Sequence, residues 1–162
     1  MSYEQPAPPA PPAPAAGQAV PLWAPLYGAS FGAAIKRSFT KYADFTGRAS
    51  RSEYWWWVLF VFIVGVVLEG LGLALGYAGA TTNADGTTTP GPLFAVAGIL
   101  IVVWFLGTII PHLALIWRRL HDANLAGPFF FLSFIPFGSI VVLVFTLLPS
   151  KPEGARFDRP RP

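Results

Sequence analysis

No cysteine occurs among the 162 residues of this chain. That excludes a disulfide frame and a thiolate metal site, and leaves no trace of redox compartment. Charge is also scarce: 12% of residues are Asp, Glu, Lys or Arg, where a soluble domain carries about 25%. The two histidines cannot make a zinc site without cysteine, and His112 and His121 are not at a ligand spacing on one helix face. No secretory apolar core lies in the first thirty residues, so a cleaved signal peptide is not expected. "KRSFTK" stands too far from the next apolar run to serve as a twin-arginine signal.

What the chain does have is apolar residues, 54% of the total, at a length that suggests one domain. Its net charge of +3 and pI near 9.5 would fit nucleic acid by number alone. The basic residues sit beside long apolar runs, however, which suits anionic phospholipid. No basic recognition helix or RNA-binding aromatic signature appears, so no nucleic-acid partner is expected.

Residues 1–25 are rich in Pro and Ala ("PAPPAPPAPAAG"), a composition that favours a disordered or polyproline tail over a core. A proline-motif ligand is the alternative. Over 30–45, Phe31, Ile35, Phe39 and Tyr42 recur at helical spacing while Lys36, Arg37 and Lys41 take the other face. The pattern predicts an amphipathic helix lying in the membrane interface, with its cations toward water.

Three apolar stretches follow, at about 55–80, 93–117 and 129–148. Each is long enough to cross a hydrocarbon layer about 30 Å thick. The expected fold is therefore an all-α membrane protein, a small bundle of about three transmembrane helices within a membrane domain over 26–160. The connection at 81–92 has no Lys or Arg. Five basic residues precede the first span and two arginines close the second. By the positive-inside rule the N-terminus and the 118–126 loop face the cytoplasm.

The third stretch conflicts with that rule. A straight crossing exports the basic tail over 149–162, with Lys151, Arg156, Arg159 and Arg161. Pro136, Phe137 and Gly138 interrupt its middle. Either a kinked full span or a broken, re-entrant hairpin satisfies the length, and the full span is narrowly favoured because each arm of a hairpin would be short.

The stretch "GRASRSEYWWW" from Gly47 to Trp57 joins two local signals. Ser50 and Glu53 have capping-box spacing, and Tyr54 to Trp57 belong at headgroup level. Arg48 and Arg51 are left with topology, lipid phosphate or an ion pair. At the end of the second span stand Arg118, Arg119, His121 and Asp122. Arg118 and Asp122 can pair at i, i+4. A cross-helix network, Arg48 or Arg51 with Asp122 and Glu53 with Arg118 or Arg119, is the more economical arrangement. The same geometry could hold a lipid phosphate.

"FTGRASRSEYWWW" and "WRRLHDANLAG" resemble the two signatures of the bacterial inner-membrane family catalogued as domain of unknown function 805, over about residues 30–160. "GARFDRP" is similar to the family's C-terminal motif at Gly154, Arg156, Phe157 and Asp158, with Ala155 where Asn is usual. Pro128-Phe129 and Asn124-Leu125 depart from the family pattern. The resemblance implies a helical architecture and a cytoplasmic-membrane location, and supplies no mechanism.

Within the spans, Glu69 is the one acid, and an intramembrane acid is a functional candidate. It shares a helix face with Gly65, Gly72 and Gly76, whose spacing permits close helix approach. Thr108 lies at a depth suited to bonding it. His112 follows Pro111, which should kink the second span and free the Gly107 carbonyl. A small transporter or channel component using Glu69 and His112 is the second function considered. A membrane enzyme using His121 and Asp122 is the third, weakened because successive helical side chains diverge. The first is a non-enzymatic membrane protein, without cofactor, whose ionic cluster ties helix ends and binds anionic lipid, a partner subunit or a second copy of itself.

Overall fold

A computed structural model describes residues 20–158; residues 1–19 of the expected disordered tail lie outside them, and 20–25 lie within, where Val20, Pro21, Leu22 and Ala24 are held by Arg37. The order is α1 (Phe31–Thr40), α2 (Arg51–Ala78), a two-stranded hairpin of β1 (Thr81–Thr82) and β2 (Thr88–Thr89), α3 (Leu93–Asp122), a 3-10 segment Gly127–Phe134, α4 (Gly138–Leu147) and a final 3-10 segment Pro152–Phe157.

Helices α2 and α3 run antiparallel. The Ala49 amide donates to the Arg118 carbonyl at 3.0 Å at one end, and the Gly91 amide to the Gly76 carbonyl at 3.0 Å at the other. At 28 and 30 residues they are each about 40–45 Å long. Gly72 and Gly76 face α3, where added Cβ atoms would meet Ala97 at 3.3 Å and Phe94 at 2.9 Å. The middle of both helices is apolar and outward-facing: Val67, Val103 and Phe105 are each about 60% exposed. The core helix of a soluble protein would cover such residues, whereas a bilayer leaves them in contact with lipid.

The packed core lies at one end, where Tyr54 and Trp57 meet Leu115, Ile116 and Val142. Helix α1 crosses this end. Its Phe31 ring packs edge-on against Trp56 at 5.7 Å, and its Phe39 ring against Trp57 at 5.1 Å. Helix α1 ends at Thr40, five residues short of the expected boundary, and the cationic face expected to meet water points inward: Ala34, Arg37, Ser38 and Lys41, at i, i+3, i+4 and i+7, are buried. Phe31, Phe39 and Tyr42 are exposed, and of the three cations expected to meet water only Lys36 does so.

The 129–148 stretch is not a single kinked span. Pro136 holds Ile135 in extended backbone (ψ 155°), Phe137 takes a left-handed conformation (φ 60°), and only then does α4 begin. A Cβ on Gly138 would run into the Leu132 carbonyl. The far end of α4 returns to the end of α3: Arg119 Nε donates to the Thr146 carbonyl at 2.9 Å, and the Lys151 amide to the Asp122 carbonyl at 2.8 Å. The irregular backbone lets the chain turn back, so the stretch is broken and not one continuous helix.

Candidate functional site at the charged end of the bundle

The start of α2 is fastened by Ser50 and Glu53. The Ser50 hydroxyl accepts from the Glu53 amide at 3.2 Å, and Glu53 Oε2 accepts from the Ser50 amide at 2.9 Å, completing the capping box. That Glu53 oxygen also takes the Leu26 amide at 2.9 Å. Its partner oxygen takes Arg37 Nε at 2.7 Å. Glu53 therefore pairs with Arg37 and not, as expected, with Arg118 or Arg119. The rest of the Arg37 guanidinium donates to the carbonyls of Val20, Pro21, Leu22 and Ala24. One guanidinium thus straps the segment before α1 onto α2.

The end of α3 is organised around Arg119 and Asp122, both fully buried. Arg119 Nη1 donates to Asp122 Oδ2 at 2.7 Å, and its other nitrogens cap the carbonyls of Thr146 and Leu148 at the end of α4. Asp122 further accepts from the hydroxyls of Ser150 and Tyr27. Burial, then the charge of Asp122, push the Tyr27 phenol above its usual value. The expected i, i+4 pair of Arg118 with Asp122 is replaced by this i, i+3 pair.

Arg48 reaches Asp158, not Asp122, through a bidentate pair with contacts of 2.8–3.1 Å. Burial lowers the Arg48 guanidinium, and the Asp158 carboxylate more than offsets that, leaving it above its usual value. Around this pair the Gly47 amide donates to the Phe157 carbonyl at 3.0 Å, and the His121 ring, with Nδ1 3.0 Å from the Gly47 carbonyl, stacks on Phe157 at 4.1 Å. Gly47 has φ +76°, and Gly154 leaves no room for a Cβ against the His121 carbonyl. Arg51 is exposed. Asp122 is held by Arg119 and His121 by Gly47 and Phe157, so no nucleophile–base pair forms between the two residues.

The remaining expected pairs do not meet. Glu69 is exposed and lines a groove of about 260 Å³ with Gly72, Ala97 and Ile101. The Thr108 hydroxyl donates to the Trp104 carbonyl at 2.7 Å. His112 stands eleven residues beyond Ile101, about 16 Å along α3, in an apolar groove with Phe45, Trp117 and Phe130. Among the described residues no three His, Asp or Glu side chains gather as a metal site.

Sequence reasoning missed Arg37, Lys41, Tyr27, Asp44 and Ser150 as members of this end. For Arg37 and Lys41 the signal was present: the buried face of α1 carries its own helical period in small and cationic residues, which reads as a solvated face when nothing else is known.

The family model described as "Protein of unknown function (DUF805)" matches residues 42–159. The chain belongs to this family. The DUF805 match takes in Arg48, Glu53, Arg118, Arg119, His121, Asp122 and Asp158, and begins just after Lys41. Inner membrane protein YhaI of Escherichia coli (strain K12) is 36% identical over 105 residues, covering 64% of this chain and 74% of its own length. Inner membrane protein YhaH of the same strain is 34% identical over 117 residues, covering 72% and 85%. No solved structure matches. With two long, outward-facing apolar helices and relatives of the inner membrane, this DUF805 member is an all-α membrane protein.

Proposed function

We propose that this chain is a multi-pass, non-enzymatic protein of the cytoplasmic membrane. Its N-terminus and ionic end face the cytoplasm, and the Arg/Glu/Asp cluster fastens helix ends together and offers a place for anionic lipid or a partner subunit. The observation that carries this reading is charge asymmetry. Every Lys and Arg among the described residues lies at the ionic end, and the opposite connection over 79–92 has none. Cytoplasmic retention of positive charge then sets the orientation. The 26–160 region acts in this reading as one membrane domain, with the 129–148 hairpin entering and leaving on the cytoplasmic face. A partner or second copy would have Glu69 to satisfy, since it is the one acid exposed along the apolar length of α2.

Reporter fusions test it. A reporter placed at Asp85 should read as external, and reporters before α1 and after Pro149 as cytoplasmic. A cytoplasmic signal at Asp85 overturns the orientation, and an external one after Pro149 overturns the hairpin.

A further inference from the structure

Buried and half-buried cations of the ionic end are matched to carboxylates at three places, Arg37 with Glu53, Arg48 with Asp158 and Arg119 with Asp122. Two others are not. Lys41 is 4% exposed and Arg118 1%, yet Lys41 Nζ and Arg118 Nη2 are buried without a hydrogen-bond partner among the described residues. Arg118 Nε donates to its own helix, at the Ala114 carbonyl, 3.0 Å away. Buried charged donors of this kind are costly unless an acceptor meets them.

Neighbouring carboxylates do not meet them. Glu53 is filled by Arg37, Ser50 and Leu26. Asp44 Oδ1 accepts from the amide and hydroxyl of its own neighbour Thr46, at 3.0 and 2.6 Å. Lys41 and Arg118 are near enough for the charge of Arg118, after burial, to help push the Lys41 ammonium down to about 8; it remains charged at neutral pH. Lys41, though not Arg118, lines an open groove of about 520 Å³ formed by residues 40–46, with the Asp44 carboxylate also on its wall. A compact ammonium and a guanidinium that feel each other's charge, each with a buried donor left without an acceptor among the described residues, suit a tetrahedral, multi-oxygen anion.

We propose that Lys41 and Arg118 form a binding site for a phosphate-class anion, either a phosphorylated lipid headgroup or free phosphate, that enters by the 40–46 groove. This deepens the anionic-ligand part of the function proposed above. It is tested in detergent, where orientation plays no part, so its failure and that of the topology reading are distinguishable.

The delipidated full chain is titrated with inorganic phosphate by calorimetry, and separately loaded with phosphatidylglycerol or phosphatidylcholine and weighed by native mass spectrometry. Wild type should take up phosphate or retain phosphatidylglycerol over phosphatidylcholine. Lys41→Met and Arg118→Gln should each weaken that binding by at least about tenfold, while Lys36→Met, at an exposed position of the same helix, leaves it unchanged. Asp44→Asn keeps an oxygen for Thr46 and removes a nearby negative charge, so it should tighten binding several-fold, a gain that misfolding cannot mimic. Phosphate uptake without lipid preference assigns the site to the free ion, and phosphatidylglycerol retention assigns it to a headgroup. No uptake of either by wild type, or a loss in Lys36→Met equal to that in Lys41→Met, overturns the proposal.

Discussion

The Tyr42 hydroxyl donates to the Gly107 carbonyl at 2.9 Å, and Gly107 is four residues before Pro111, whose ring nitrogen has no hydrogen to give it. A proline inside an apolar helix strands one carbonyl, and in lipid no water answers it. Tyr42, from the turn after α1, supplies the missing donor. Tyr42→Phe should therefore lower stability in detergent by about 1–3 kcal/mol. In a Pro111→Ala background, where the helix regains its own N–H, the same substitution should cost much less. Equal losses in both backgrounds, read from detergent melting, would show that the hydroxyl does not serve the proline.

Arg48 and Asp158 should be energetically coupled. The cycle of Arg48→Ala, Asp158→Ala and the double variant should show about 0.5–3 kcal/mol of interaction, shrinking as salt is added because the pair is only partly buried. Arg51→Ala combined with Asp158→Ala should come out nearly additive. Strict additivity in the Arg48 cycle argues that the tail does not dock there.

Lys41 gives the fold a pH signature. It sits at about 8 in the folded chain against an ordinary value of 10.5. Burial is the main cause, helped by the cations Arg118 and Arg37 and opposed by the anions Asp44 and Glu53. Between those two pH values the unfolded chain binds the extra proton, so stability rises as pH climbs through the window. In phosphate-free, delipidated samples, wild type should gain up to about 3 kcal/mol over Lys41→Met between pH 8 and 10.5. A difference that stays flat across that range would contradict the buried ammonium.

Gly127 is a steric requirement. A Cβ there would fall inside the Trp117 indole, which is itself packed edge-on by Phe45 and Phe131. Gly127→Ala should cost about 1–3 kcal/mol through overpacking, and Trp117→Leu should relieve most of that loss. Melting temperatures of the two single variants and the pair decide it.

The features legible in the sequence were those carried by neighbours in the chain. The Ser50–Glu53 box needs only three-residue spacing, the two long spans need only length and composition, and the carbonyl freed by Pro111 needs only a proline. Partnerships across the fold were not legible. Nothing local distinguishes Asp122 from Asp158 as the acceptor for Arg48, because the choice depends on the tail returning over Gly47. That return depends in turn on the backbone reversal at Ile135–Phe137. Twenty apolar residues fit a bent crossing as well as a folded-back pair, and the left-handed turn at Phe137 is a conformation its side chain does not advertise. Helix α1 was misread for a related reason: in a chain with so few charges, a cationic stripe looks like the wet side until a buried carboxylate such as Glu53 claims it.

The contact of Gly47 with Phe157 and of Arg48 with Asp158, residues 110 apart, also sets an order of events during synthesis. The two long helices leave the ribosome before the segment that latches their charged ends together exists. Until residues 146–158 emerge, Arg119 lacks the carbonyls of Thr146 and Leu148, and His121 lacks its stacking ring. A nascent chain stopped at residue 145 should thus carry both helices inserted but unlatched at the end of α3, with Asp122 short of the Ser150 hydroxyl and Arg48 short of Asp158. The last dozen described residues act as the closing step of assembly.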